Sequence, residues 1–407
     1  MIEPILTVGI IIFVGFILGE IVAKIKLPKV TGYILAGVLL NPDLFGIISE
    51  DFVEHTSLIT NIALSFITFS VGGSLLFSRI KKLGKGIIGI TVFEAELAFA
   101  AIALGFFVLG SFSILSVGNS VLAFILPLSL LMGSLGSPTD PSATLAITHE
   151  YRAKGDVSST IMGVAAFDDI FGIVNYTIAT VIGGVLILNQ DLTLNSMVLS
   201  PLVIILGAVA LGVVIGFILN FITCLIERET EGALIVLVFG MLLLCFGLAS
   251  LLGFDELLST MTMGIIVVNF NKKREKIFSI LERSMEELIF VLFFTLSGMH
   301  LDFSVLSTTY LLILFFVMFR VVGKVSGTWI GASISKSSGK VKKYTAGGLI
   351  PQGGIVVGLA LMIKQNPAFD GISDIIISTI IGATIVHELI GPIIAKTSLK
   401  RAGEIEN

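Results

Sequence analysis

The chain has 407 residues, 55% of them hydrophobic and 13% charged, and its mean hydropathy is +1.05. That composition excludes a water-soluble domain and assigns the chain to a bilayer. A net charge of −4 argues against nucleic acid as a partner, and Cys224 and Cys245, both in apolar segments, suit small packed residues better than a disulfide or a metal site.

A run of about 20 apolar residues crosses the hydrocarbon core as a helix. Thirteen such spans are predicted, at 5–23, 30–44, 57–77, 86–110, 119–148, 157–187, 197–225, 232–252, 257–271, 285–300, 309–335, 343–364 and 372–396. The first follows "MIEP", which lacks the basic region of a cleaved signal, so it is expected to remain as a mature helix.

Short connections alternate in sign. "AKIKLPK", "SRIKKLGK", "EYRAKGD", "NKKREK", "SKSSGKVKK" and "KTSLKRAGE" are basic, whereas the loops between them are acidic or neutral except for Lys364 in "KQNPAFDG". The positive-inside rule then sets the N-terminus outside and the C-terminus in the cytoplasm, after an odd number of crossings.

One membrane unit over 1–407 is expected, with a first repeat at 1–187, a linking seventh span at 197–225, an inverted second repeat at 232–396 and a short cytoplasmic tail at 397–407. "GGSLLFS" and "GMHLDFS" close the third span of each half and share Gly72/Gly298, Leu75/Leu301, Phe77/Phe303 and Ser78/Ser304. The predicted fold is therefore an all-α polytopic membrane protein with two inverted six-helix repeats.

The fifth span would be roughly 45 Å long as a straight helix, too long to stand upright in a bilayer. In its middle lies "GSLGSPTDPSATLAI", where Pro138 and Pro141 withhold N–H groups, so unwinding is expected near Ser137–Asp140. The twelfth span carries "GGLIPQGGIVVG", again with glycines, among them Gly353, around Pro351. Two discontinuous, crossed helices at matching positions point to a binding site near the bilayer midplane.

Charges inside the predicted spans are few: Glu94, Glu96, Asp140, Asp168, Asp169, Arg320, Lys324, His387 and Glu388. Each marks a functional-site hypothesis. Neighbours on a helix diverge by about 100°, so Asp168 and Asp169 cannot point the same way. One is expected to face an aqueous cavity and the other a neighbouring helix, the alternative being a structural ion pair with Arg320 or Lys324. Coupled carboxylates exchange protons for a hard cation, and oxygen ligands suit Na⁺.

Thr139 is a candidate ligand beside that pair, and Asp140 either ligates or caps a half-helix. Arg320 and Lys324 share one face a helical turn apart; the lysine can join a proton cycle, while the arginine stays a fixed charge that balances helix ends or an acid. One of Glu94 and Glu96 is expected to pair with that face, and His387–Glu388 to form a local pair. No nucleotide loop of the GxxxxGK[ST] kind and no metal-finger spacing occurs, so neither an enzyme nor a cofactor is expected.

Several stretches together resemble the monovalent cation:proton antiporter superfamily, in its Kef-type and Nap-type branch. They are "LPKVTGYILAGVLLNPDLFGI", "SPTDPSATLAI" with "AAFDDIFGIV", "FFTLSGMHLDF" and "RVVGKVSGTWIGA". The resemblance covers nearly the whole chain. It implies a homodimer in which a core of crossed half-helices moves against a dimerisation domain, with Asp169 as the principal ion and proton carboxylate and Asp168 as its partner. Paired aspartates with a lysine at Lys324 go, in that superfamily, with electrogenic exchange.

Three features depart from the pattern. Ser74 stands where many Kef-type members have Glu, "IPQGG" replaces an Arg- and Glu-containing stretch, and no nucleotide-binding domain is expected after the last span.

The sequence thus predicts a secondary antiporter in a prokaryotic plasma membrane, exchanging Na⁺ or Li⁺ for H⁺ by alternating access. Its rivals are a Kef-type K⁺/H⁺ antiporter, an organic-anion symporter of related fold, and a membrane scaffold or channel.

Overall fold

The computed structural model describes residues 3–25, 29–78, 85–111, 121–140, 153–165, 167–189, 193, 198–225, 230–301 and 303–405, and all regular structure among them is helical. Eight helices are long and apolar enough to cross a membrane, and three shorter apolar ones accompany them.

In chain order, α1 is Pro4–Lys24, α2 Lys29–Leu40, α3 Ser57–Ser74, α4 Lys85–Ser111, α5 Leu126–Ser134, α6 Asp156–Ala165, α7 Asp168–Ile187, α8 Ser200–Leu225 and α9 Glu231–Leu252. There follow α10 Glu256–Phe270, α11 Arg274–Leu281, α12 Glu287–Met299, α13 Phe303–Ile334, α14 Gly339–Gly348, α15 Gly354–Gln365 and α16 Asp370–Ala402.

Departures from the predicted spans occur where polar or helix-breaking residues fall. The fifth span begins with a π-helical turn at Val121–Ile125, forms α5, and is non-helical from Leu135 to Asp140. Its continuation, Pro141 included, lies outside the described residues. The twelfth span splits into α14 and α15 around a non-helical stretch from Leu349 to Gly353. The sixth divides into α6 and α7 immediately before Asp168, a break that nothing in its composition announced. The loop read as "NKKREK" holds the amphipathic α11, whose Ile277, Ile280 and Leu281 are buried.

Two groups of helices result. In one, α4 lies along α13, with α5, α7, α15 and α16 packed around them; in the other, α3 packs on α10, α2 on α12, and α1, α8 and α9 flank these pairs. Large apolar side chains stay exposed along α1, α8 and α9, among them Phe13, Leu206, Phe221, Val236 and Leu251, as suits helices that meet lipid tails.

Small residues bring backbones together at three seams, which is how helices associate where lipid offers no hydrophobic gain. On α13, Gly323, Gly327 and Gly331 recur every fourth residue against α4. A Cβ at Gly327 would lie 2.6 Å from the Glu94 Cα, and one at Gly331 2.7 Å from the Ile90 Cα. Gly37 of α2 meets Gly298 of α12, and Gly72 of α3 meets Gly264 of α10. The α4–α13 seam matters most for the site, because it sets Arg320 and Lys324 beside Glu94.

Lys364, the one basic residue in an otherwise acidic set of loops, pairs with Asp374 one connection further on.

Gly327→Ala should force α4 from α13 and lower the melting temperature of the detergent-solubilised protein by roughly 3 °C or more. Gly240→Ala, where an added Cβ meets nothing within 4 Å, should move it by less than about 1 °C in the same thermal scan.

Candidate functional site

The two interrupted helices leave carbonyl groups without helical partners, because the last turns of α5 and α14 cannot continue. These carbonyls carry the partial negative charge of a helix C-terminus. Arg320, fully buried, donates to three of them: Nε to the Gly136 carbonyl at 3.0 Å, and its terminal nitrogens to Ile350 at 2.6 Å and Pro138 at 2.8 Å. The guanidinium thus ties the break after α5 to the break after α14. A backbone bond from Asp140 N to the Pro351 carbonyl, 3.0 Å, adds to that crossing, and the Gln352 amide donates to the Leu135 carbonyl at 2.7 Å.

Lys324, one turn further along α13, is also fully buried. Its Nζ pairs closely with Glu94 and donates to the Ser137 carbonyl at 2.6 Å and to Thr139 Oγ1 at 2.9 Å, with Asp168 Oδ2 at 3.4 Å. Thr139 in turn donates to the same Asp168 oxygen. Asp168 is therefore held from two sides inside a dry ion cluster, which is how a buried carboxylate is tolerated.

Asp169 points elsewhere. It lines a cavity of about 440 Å³ between the two helix groups, together with Thr139, Asp140 and Ser74. Among the described residues no hydrogen bond or ion pair engages its carboxylate. Glu282 and Glu286, at the start of the helical run into α12, border the same cavity, and Phe278, Phe290 and Phe294 supply much of its apolar wall.

Asp140 lies against the start of α15. A Cβ at Gly353 would sit 2.7 Å from Asp140 Oδ2, so the close approach requires glycine there. Negative charge at that position faces a helix N-terminus. The helix end it faces belongs to α15, on the other interrupted segment. Among the described residues no three His, Cys, Asp or Glu side chains converge as a resident metal centre.

The residues singled out from the sequence are thus partly gathered and partly apart. Asp168, Thr139, Lys324 and Glu94 form one cluster and Arg320 joins both breaks, while Asp169, Asp140 and Gly353 border the cavity. Pro138 packs on Gly172, and Pro351 on Gly391. Glu96 is engaged by Asn175 at 3.3 Å instead of by the basic pair.

His387 and Glu388 form no hydrogen-bonded pair with each other: both are buried and, as helix neighbours, point apart. Sequence reasoning overlooked Gln352, although an amide beside Pro351 in an apolar span was a usable signal. It also overlooked Asp255, which caps α10 and accepts a hydrogen bond from Thr177 of α7 at 2.5 Å. An aspartate in so apolar a loop as "GFDE" was the hint.

A family model described as the transmembrane sodium/hydrogen exchanger matches residues 9–401. The chain belongs to the sodium/hydrogen exchanger family. Members of the family are transporters and not enzymes. Among similar curated exchangers, the ammonium/H⁺ antiporter subunit AmhT of Alkalihalophilus pseudofirmus is 24% identical over 341 residues, covering 81% of this chain and 80% of that protein. The Na⁺/H⁺ antiporter of Enterococcus hirae is 24% identical over 384 residues, 93% of each chain. GerN of Bacillus cereus, a Na⁺/H⁺-K⁺ antiporter, is 21% identical over 354 residues, covering 84% and 83%. In fold, this exchanger is similar to the sodium proton antiporter MjNhaP1 of Methanocaldococcus jannaschii, with a TM-score of 0.79 over 98% of both chains at 20% identity.

Removing Arg320 would leave three buried carbonyls unsatisfied, at about 1 kcal/mol or more apiece. Arg320→Gln should therefore lower the melting temperature in detergent by several degrees more than Glu96→Gln, which alters one part-buried contact.

Proposed function

We propose that this chain is a secondary antiporter exchanging Na⁺, or Li⁺, for H⁺ across a prokaryotic plasma membrane by alternating access. The observation that carries the proposal is the division of labour between adjacent aspartates: Asp168 is locked to Lys324 and Thr139, while Asp169 opens to the cavity. A carboxylate that borders a cavity, beside a buried ion cluster, takes up a proton or a hard cation in turn but not both. Asp169 is the exchanging carboxylate in this reading. Asp168, Thr139 and Lys324 set its electrostatic surroundings, with Arg320 as a fixed charge.

The net charge that crosses follows from the second aspartate. With both carboxylates and Lys324 in the moving unit, more than one proton answers each Na⁺, and exchange is electrogenic. The relatives are named for ammonium, sodium and potassium, so K⁺/H⁺ exchange is the second reading; the oxygen-bearing Thr139 and Asp140 that line the cavity with Asp169 suit a hard ion such as Na⁺.

Several features support the transport cycle. The arrangement of thirteen crossings in two inverted halves is part of this reading, and the Gly37–Gly298 and Gly72–Gly264 contacts, which join α2 to α12 and α3 to α10, support exchanged partners of two similar halves. In this reading the basic loops mark the cytoplasmic side, and the position of Glu282 and Glu286, close after Lys272, Lys273 and Arg274, supports a cavity that opens to that side. The Thr177–Asp255 bond joins the two helix groups two turns beyond Asp169, in the direction of the acidic loops, and closes the outer route. Outward opening breaks that bond as the α4–α5–α7–α13–α16 group slides. The exposed apolar faces of the other group suit a homodimer contact in the bilayer.

Purified protein in liposomes should move protons when Na⁺ or Li⁺ is added, faster at a favourable membrane potential, and Asp169→Asn should abolish the movement. No cation-dependent proton flux would end the antiport reading, and flux indifferent to potential would end electrogenicity alone. Joining Thr177→Cys to Asp255→Cys by oxidation should stop transport and reduction should restore it; unchanged flux in fully oxidised protein would show that this contact does not open.

A further inference from the structure

Ion exchange at Asp169 leaves the segment after α16 without a task. Helix α16 stops at Gly403, whose φ of +74° turns the chain back, with Gly403 N bonded to the Lys400 carbonyl and Glu404 N to the Leu399 carbonyl.

That turn aims Glu404 at the start of α6. Its carboxylate accepts from Val157 N and Ser158 N, both at 2.7 Å, and its carbonyl accepts from Lys154 N at 3.2 Å. These are the second and third amides of α6, the ones that an N-cap side chain ordinarily satisfies. The residue before α6 is Gly155, which has no side chain to offer, and a Cβ there would sit 2.3 Å from Glu404 Oε1. Glycine thus leaves room for a carboxylate that arrives from 247 residues beyond Val157 and meets the positive end of the helix dipole.

The same segment holds a second helix. Lys340 Nζ, in the first turn of α14, donates to the Ala402 carbonyl at 2.8 Å, and Ile405 packs on the buried cluster that contains Val157, Ile161, Val341 and Leu399. Further along, α6 and α14 touch directly, since a Cβ at Gly348 would lie 2.3 Å from Ile161 Cδ1. Both helices run on into the site. Helix α6 puts Met162 and Ala165 on the cavity wall and ends just before Asp168 and Asp169, while α14 ends at the second break.

We propose that Glu404 is a positioning residue of the transport site: as the cap of α6 it fixes that helix against α14, and through it the placement of Asp169 on the cavity, which sets the apparent affinity for the cation. It acts through α6 and does not touch the ion. The proposal rests on the antiport reading.

The test uses the full chain in liposomes, with proton flux measured against Na⁺ concentration. Glu404→Ala should raise KM roughly fivefold, the scale on which a lost helix cap acts, with a smaller effect on the maximal rate. Glu404→Gln keeps one acceptor and should fall between the alanine variant and wild type; it carries the comparison should the alanine variant fail to accumulate. Ile405→Ala loosens the same segment without removing a capping oxygen and should leave KM within about twofold of wild type. Hydrogen exchange at the Val157 and Ser158 amides reads the cap itself, and loss of the carboxylate should speed it. Faster exchange with an unchanged KM would mean a cap with no hold on the site, and a KM raised as much by Ile405→Ala as by Glu404→Ala would mean that general loosening is responsible; either overturns the proposal. Wild-type liposomes that move no protons on addition of Na⁺ would instead sink the antiport reading.

Discussion

Two cations on one helix make the centre of this protein possible. Broken helices bring bare carbonyls into the hydrocarbon region, where each unsatisfied one costs several kcal/mol. Arg320 and Lys324 answer that cost from a single face of α13, with the arginine bound to the carbonyls on either side of the crossing and the lysine to Ser137, Glu94 and Asp168. Arginine suits the first position because its planar fork meets several acceptors at once, and lysine the second because one compact charge meets several oxygens.

Charge accounting around the crossing explains why adjacent aspartates differ. The carboxylates of Glu94 and Asp168 share Lys324, so the cation that holds Asp168 in place is unavailable to Asp169. Asp169 borders the cavity instead, and a helix rotation of about 100° between neighbours is all that separates the two situations. The break just before Asp168 sets both at the first turn of α7, a location in which acidic side chains are favoured.

Much of this was legible in the sequence. Apolar runs gave most helices to within a few residues, and prolines among glycines gave both interruptions. Buried charges in apolar spans singled out Asp168 and Lys324, with Glu94 as one of two candidate partners, and Thr139 stood out beside the helix break. What escaped notice depended on partners far along the chain: Glu94 rather than Glu96 meets Lys324 because of the glycine seam on α13, and Thr177 finds Asp255 only when α7 lies beside the start of α10. The split of α6 from α7 lacks a proline or glycine at the break, so local propensity could not reveal it.

The seam between α4 and α13 has a mechanical consequence. Where Gly323, Gly327 and Gly331 meet the α4 backbone there are no side-chain rotamers to redistribute, and such a joint cannot yield by degrees. The two helices form one girder carrying Glu94 at one flange and Arg320 and Lys324 at the other. In the alternating-access cycle proposed above, the ion cluster would move with that girder as one sealed package and would not be reassembled. Sliding in that proposed cycle would fall on the apolar contact across the cavity, against Phe278, Phe290 and Phe294, where side chains can repack.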